Sequence, residues 1–218
     1  MKGLSYRVTE WPPPLHAPMQ LALFGARTVP ALRLDGEKIS GSRAIIRRLD
    51  QLAPEPPLFP ADPAARVRVE EAERWGDEVF QPVARELIWA GFTHSPEAMV
   101  SYSEHSRLPM PAPAIRAIAP AIARMGARLN RTDTGVARRA IAALPGQLDT
   151  IDGWVADGTI GDPEQPNAAD LQITSTVRLL MTLADVRPLI DGRPCAEVAI
   201  GLFPNADGEL PAGALPAV

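Results

Sequence analysis

Apolar and polar residues alternate in part over residues 4–11, LSYRVTEW, and the stretch also holds Tyr, Val, Thr and Trp. That pattern predicts a strand, stopped by Pro12-Pro13-Pro14. Residues 15–24 predict a short helix ended by Gly25. Two short apolar runs, Ala31–Leu34 and Glu37–Ile39, flank Asp35-Gly36, a strong signal for a tight hairpin. The period then changes. Ala44, Ile45, Leu49 and Leu52 recur at helical spacing in a helix that starts at Ser42 and stops at the prolines 54, 56 and 57.

Beyond the proline-rich stretch 54–63, PEPPLFPADP, only helical spacing is found. The change from mixed strand and helix to helix alone marks a domain boundary. Asp62-Pro63 reads as an N-cap followed by proline at the first helical position. From there apolar residues run through Val67, Ala72, Trp75, Val79, Val83, Leu87 and Ile88, with a kink expected at Pro82, which has no N–H to donate. Residues 93–113 are irregular, and Ile115 to Leu129 is helical, its regular part expected to start at Pro120. A helix over roughly residues 133–157 follows. Asn167-Ala168-Ala169-Asp170 then has the form of a capping box ahead of Leu171, Ile173, Val177, Leu180 and Met181. The tail from Phe203 is rich in Pro, Gly and Ala and is expected to wrap the surface.

Composition narrows the class. With 46% hydrophobic and 22% charged residues in 218, the chain is an ordinary globular one, and its 24 prolines predict many short elements. The net charge of −4 and the lack of a long Lys/Arg run argue against nucleic acid as the main partner. No stretch approaches the roughly 18–20 apolar residues of a membrane helix, and the N-terminus lacks the apolar region of a signal peptide. One cysteine, Cys195, forms no internal disulfide, and His16, His94 and His105 have no metal-ligand spacing. The expectation is a cytoplasmic protein with no metal and no membrane or nucleic-acid partner.

Candidate chemistry centres on Thr28-Val29-Pro30-Ala31-Leu32 and Gly41-Ser42-Arg43-Ala44-Ile45. A proline directly before a strand can expose the preceding N–H and carbonyl, most directly when the Val29–Pro30 bond is cis. Such an edge can hold an extended peptide like an added strand. Ser42, at the cap of the next helix, adds a hydroxyl and free N–H groups suited to a carboxylate. A trans proline that starts a strand and an ordinary serine cap account for the same residues on spacing alone.

The run 28–60, TVPALRLDGEKISGSRAIIRRLDQLAPEPPLFP, followed by helices and by Asn167–Leu171, resembles the cytosolic glutathione S-transferases of bacterial type. The resemblance covers most of the chain. It implies an α+β fold in which residues 1–53 are a thioredoxin-like glutathione-binding domain, 54–62 a linker and 63–218 an all-helical domain. In that family the Val-Pro segment holds the cysteinyl backbone of glutathione, and an acidic residue and Ser before Ala-Ile hold its γ-glutamyl end. Carried over, this implicates Val29, Pro30, Gly41 and Ser42. The implied activity is glutathione binding with conjugation or reduction of a hydrophobic or electrophilic small molecule, in a homodimer. The alternative is a non-catalytic binding or interaction protein of the same fold.

Two departures from the family stand out. Gly41 occupies the place of the acid, which removes a carboxylate that could pair with the γ-glutamyl ammonium. The family also begins with a strand and a helix, whose end carries the catalytic Tyr, Ser or Cys, ahead of the strand placed here at residues 4–11. No catalytic residue is therefore assigned, Ser5 and Tyr6 included, and a start upstream of Met1 is expected, a degenerate domain or a strand from another chain being the alternatives. Weaker candidates are Ser101 and Tyr102 as pocket residues, Trp89, Phe92 and Met110 as an apolar second-substrate site, and His16 as a ligand contact. Arg66 and Arg68 are candidates to meet a partner subunit. Glu70, Glu71, Glu73 and Arg74 read as a solvated helix face, and Cys195 as buried or idle.

Overall fold

A tight hairpin forms where the Asp35-Gly36 signal places it. Strand β1 (Ala31–Leu34) pairs antiparallel with β2 (Glu37–Ser40), Leu34 opposite Glu37 and Ala31 opposite Ser40. Asp35 and Gly36 both have positive φ, 48° and 91°, as this two-residue turn requires. The computed structural model describes residues 2–11, 16–26, 29–104, 106 and 110–217. Pro12-Pro13-Pro14, Leu15, Thr28, His105, Pro109 and the side chain of His16 lie outside the described residues.

Helix α1 (His16–Phe24) precedes the hairpin and ends at Gly25, whose N–H donates to Leu21 O. Helix α2 (Ser42–Leu52) follows it. The strand expected over residues 4–11 does not form. The segment carries no regular secondary structure, and Tyr6 is 80% exposed. Alternation supplies strand propensity, but a strand needs a partner for its N–H and C=O groups. Among the described residues the sheet holds only β1 and β2.

The rest is helical. Asp62 caps α3 (Pro63–Trp75), its carboxylate accepting the Ala65 N–H at 2.8 Å, with Pro63 in the first turn. Residues Gly76–Phe80 wind as a π-helix into α4 (Gln81–His94). The disturbance expected at Pro82 takes this form: proline gives no N–H to the carbonyl one turn back, and the backbone just before it widens. A short 3₁₀ helix, Pro96–Ser103, occupies part of the stretch expected to be irregular. Helix α5 (Ala112–Leu129) starts at Ala112, with Pro120 inside it rather than at its start. Proline is well tolerated in a first turn, here as Pro113. The carbonyl that Pro120 leaves unpaired belongs to the exposed Arg116, where water can satisfy it. Helices α6 (Thr134–Ala156), α7 (Ala168–Leu180) and α8 (Pro194–Leu202) complete the body.

Helix α7 is buried almost all round and forms the axis of the core, with Ile173, Val177 and Leu180 fully enclosed. Around it stand Phe80, Leu87, Leu144, Leu148 and Ile151, all buried. Trp75 stacks on Phe80 at 5.5 Å and meets Trp154 edge-on at 5.0 Å. The tail does more than wrap the surface. Leu210 is fully buried, its N–H donates to Thr182 O, and its carbonyl accepts from Ala184. The Asp185 carboxylate takes the N–H groups of Gly213 and Leu215. Among the described residues no helix is long and apolar enough to cross a membrane.

The capping box forms as expected. Asn167 Oδ1 accepts from Ala169 and Asp170, and Asp170 returns the bond by accepting the Asn167 N–H at 2.9 Å. The buried Asp170 also accepts the Gly161 N–H. Burial raises the Asp170 pKa, partly offset by these two N–H donors. Asn167→Ala should lower stability by about 0.5–2 kcal/mol. Asp170→Ala strands two N–H groups and should lower it by about 2 kcal/mol or more. Because the folded pKa of Asp170 lies above the unfolded value of about 3.9, its contribution is largest below that pH and declines as pH rises through the folded value. Urea unfolding of wild type and Asp170→Ala across acid to neutral pH checks this. A gap between them that widens with rising pH contradicts it.

Candidate functional site

The hairpin returns the chain to where it left, so residues 11 positions apart meet. The Gly41 N–H donates to Pro30 O at 3.0 Å, which sets the Val29–Pro30 segment beside the start of α2. The Val29–Pro30 peptide is cis, and Val29 is 60% exposed. Val29, Pro30, Gly41 and Ser42 are thus neighbours around one edge.

Gly41, not Ser42, is the N-cap of α2. Its φ of 91° and ψ of 141° turn the chain from strand to helix in a region nearly reserved for glycine. Ser42 is consequently the first helical residue, and its hydroxyl caps nothing. It donates instead to Gln172 Oε1 on α7 at 3.1 Å. The first backbone bond of α2 joins the Ile45 N–H to Gly41 O, so the N–H groups of Ser42, Arg43 and Ala44 precede the helical ladder. They form the anion-attracting end of the helix.

Helix α2 has no buried residue, and its apolar face is only half covered. Ion pairs hold it. Glu73 on α3, expected on a solvated face, is completely buried. Its carboxylate takes Arg47 through two bonds, 2.8 and 2.7 Å, and Arg43 Nε at 3.3 Å. This partnership raises the Arg47 pKa. Helical spacing alone locates Glu73 inward, since Val69, Ala72, Glu73 and Gly76 share one face. At the other end of α2, Lys2 Nζ donates to Asp50 and to the carbonyls of Ala53 and Pro56. Asp50 accepts the Leu58 N–H, and Leu58 O accepts the Ala168 N–H at the start of α7. Nothing in the local pattern singles out Lys2 or Gln172.

The weaker candidates are spread elsewhere. Tyr102 OH bonds the Thr182 hydroxyl at 2.6 Å, its ring meets Phe92 edge-on, and burial raises its pKa. The Ser101 hydroxyl pins the tail through Glu209. Trp89 and Phe92 pack against each other beside the core, while Met110 is exposed. Arg66 pairs with Glu70, and its guanidinium lies over Phe59. An open cleft of about 410 Å³ is lined by Glu97, Ser101, Glu104 and Glu209, among others, and one of about 210 Å³ by Arg178 and Thr182. Val29, Pro30, Gly41 and Ser42 line neither. Cys195 is buried on α8, and burial with the neighbouring Asp152 pushes its pKa up to about 12.

Residues 1–57 match the family model described as glutathione S-transferase, N-terminal domain. Over those residues the chain is similar to the N-terminal domain of the glutathione S-transferases. Its fold is α+β, a small thioredoxin-like sheet portion joined to a helical body. No curated protein and no solved structure matches the chain.

Two outcomes follow from this geometry. Glu73→Gln should destabilise the protein by about 2 kcal/mol, below the roughly 3–5 kcal/mol of a fully enclosed pair, because both arginines keep some contact with water. A urea midpoint equal to wild type contradicts the anchoring role. Cys195 should resist a thiol-alkylating reagent at pH 8 while the protein is folded and react at once in urea. Rapid modification of the native protein contradicts its placement.

Proposed function

We propose that this chain is a glutathione S-transferase-like protein that binds glutathione and conjugates or reduces a hydrophobic or electrophilic small molecule. The Gly41-to-Pro30 hydrogen bond carries the reading, because it sets the exposed Val29–Pro30 edge beside the start of α2 within the family-matched stretch. Val29 offers its backbone N–H and carbonyl to the cysteinyl residue, as a strand edge takes an extended peptide. The first turn of α2 offers N–H groups to the γ-glutamyl carboxylate. A thiol of pKa about 8.5 is only slightly ionised at neutral pH, so the chemistry depends on lowering that value. That step has no assigned residue.

The proposed protein is cytoplasmic and homodimeric, with Arg66 and Arg68 on the partner-facing helix. It needs no metal, nucleic acid or membrane. Residues 1–53 form the glutathione-binding domain, 54–62 the linker and 63–218 the helical domain. A second reading, a non-catalytic binding protein of the same fold, is favoured by Gly41, which brings no carboxylate to the site.

Ser42→Ala should weaken glutathione binding by about 1–3 kcal/mol, the range for hydrogen bonds to charged groups. Calorimetric titration of both proteins, with a thiol-conjugation assay on wild type, tests both readings. Binding without turnover selects the second. Absence of binding at millimolar glutathione rejects the first.

A further inference from the structure

Helix α5 turns one side to the core and another outward. Ile115, Ala119, Ala123, Gly126 and Ala127 form the buried side. Gly126 fixes it in place. A Cβ there would come within 2.0 Å of Trp89 Cζ3, so the helix lies directly on the indole and has no room to roll.

The outward side carries a line of large apolar side chains. Ile118, Ile122, Met125 and Leu129 alternate steps of four and three residues, the spacing of the seam between two paired helices. Ile118 is 38% exposed, Met125 36% and Leu129 67%. The row beside this line is Ala117, Ala121, Arg124 and Arg128, all exposed. Its first half is small enough for another backbone to come near, and its second half is basic. Arg131, just past the helix, is exposed as well. Helix α5 contains no Asp or Glu. Arg124, Arg128 and Arg131 form no ion pair among the described residues. The whole chain has a net charge of −4, so this is a positive, partly apolar face on a negative protein.

Charge and shape select the occupant. The α5 of a second copy would set arginine against arginine, and like charges brought together across an interface repel. A helix that lies in a bilayer surface buries a broad apolar face, commonly with Trp or Phe. Here the apolar line is one residue wide, and α5 has no aromatic residue. A helix bearing carboxylates satisfies both features. Its apolar residues fill the line, which at 1.5 Å per residue is about 16 Å long, and its Asp or Glu side chains meet guanidinium groups that pair with carboxylates through two bonds.

We infer that α5 is a docking surface for an acidic amphipathic helix of a partner protein, seated along Ile118, Ile122, Met125 and Leu129 with its carboxylates at Arg124, Arg128 and Arg131. This face shares no residue with the edge formed by Val29, Pro30, Gly41 and Ser42, and neither depends on the other.

The test uses a synthetic helical peptide of about four turns, with Leu at the same spacing and Glu on both flanking rows. Two companion peptides carry Gln or Lys in place of Glu. Dissociation constants are measured calorimetrically on the full chain for wild type, Met125→Ser and the double variant Arg124→Glu/Arg128→Glu. All three substituted residues are exposed, so thermal melts should stay close to wild type. Wild type should bind the Glu peptide about tenfold or more tightly than the Gln peptide, with a margin that shrinks as salt is added. The double variant should reverse the order and favour the Lys peptide. Met125→Ser should weaken the Glu and Gln peptides alike. No binding of the Glu peptide by wild type overturns the inference, as does a preference for Glu that survives the double substitution. Vesicles of phosphatidylserine and phosphatidylcholine that bind wild type but not the double variant also overturn it, in favour of a lipid surface. So does self-association of wild type that the double substitution abolishes, which would give the face to a second copy.

Discussion

One buried carboxylate joins the two parts of this protein. Glu73 lies in a helix of the core, yet both of its oxygens are spent on arginines that reach in from α2. Helix α2 buries no residue of its own, so its position depends on directed polar bonds more than on apolar area. A carboxylate removed from water is tolerated only when its lone pairs are answered, and here three N–H groups answer them. Because the pairing is directional, it sets where the first turn of α2 stands relative to α7, which loose apolar packing would leave free to slide.

The same logic runs along the whole contact. Lys2 holds the C-terminal end of α2 and the proline-rich stretch together through three oxygens. Asp50 passes the connection to Leu58, and Leu58 O passes it to Ala168 at the start of α7. Arg47 and Arg66 lie over Phe59 at 5.0 and 5.2 Å, covering a buried ring with cations. The α7 capping box therefore serves two purposes. It starts the most buried helix of the core, and it fixes the turn from which Gln172 reaches Ser42.

Much of this was legible in the residues. Asp35-Gly36 specifies its turn because few residue pairs accept two positive φ angles. Asp62-Pro63 and Asn167–Asp170 specify helix starts because their side chains satisfy N–H groups that the helix leaves unpaired. These are local rules that act within a few residues, and the structure follows them. The neighbourhood of Val29, Pro30, Gly41 and Ser42 was legible for the same reason, since a tight hairpin leaves its ends side by side. Where the local rule is incomplete, the structure departs from the expectation. Ser42 has the chemistry of a cap, but the left-handed turn falls to Gly41 one residue earlier.

Local preferences along the chain are enough for the hairpin, the caps, the helical body and the edge at Val29. Each depends on the conformational preferences of neighbouring residues. Packing over distance settles the fate of Leu4–Trp11, which has strand propensity and pairs with no strand among the described residues. It also decided that Leu210 enters the core and that Glu73 takes two arginines. It set Gln172 against the hydroxyl of Ser42, 130 positions away. A side chain's propensity belongs to its own stretch of chain. The partner for its proton or its charge is chosen by whichever distant segment the packed core brings within reach.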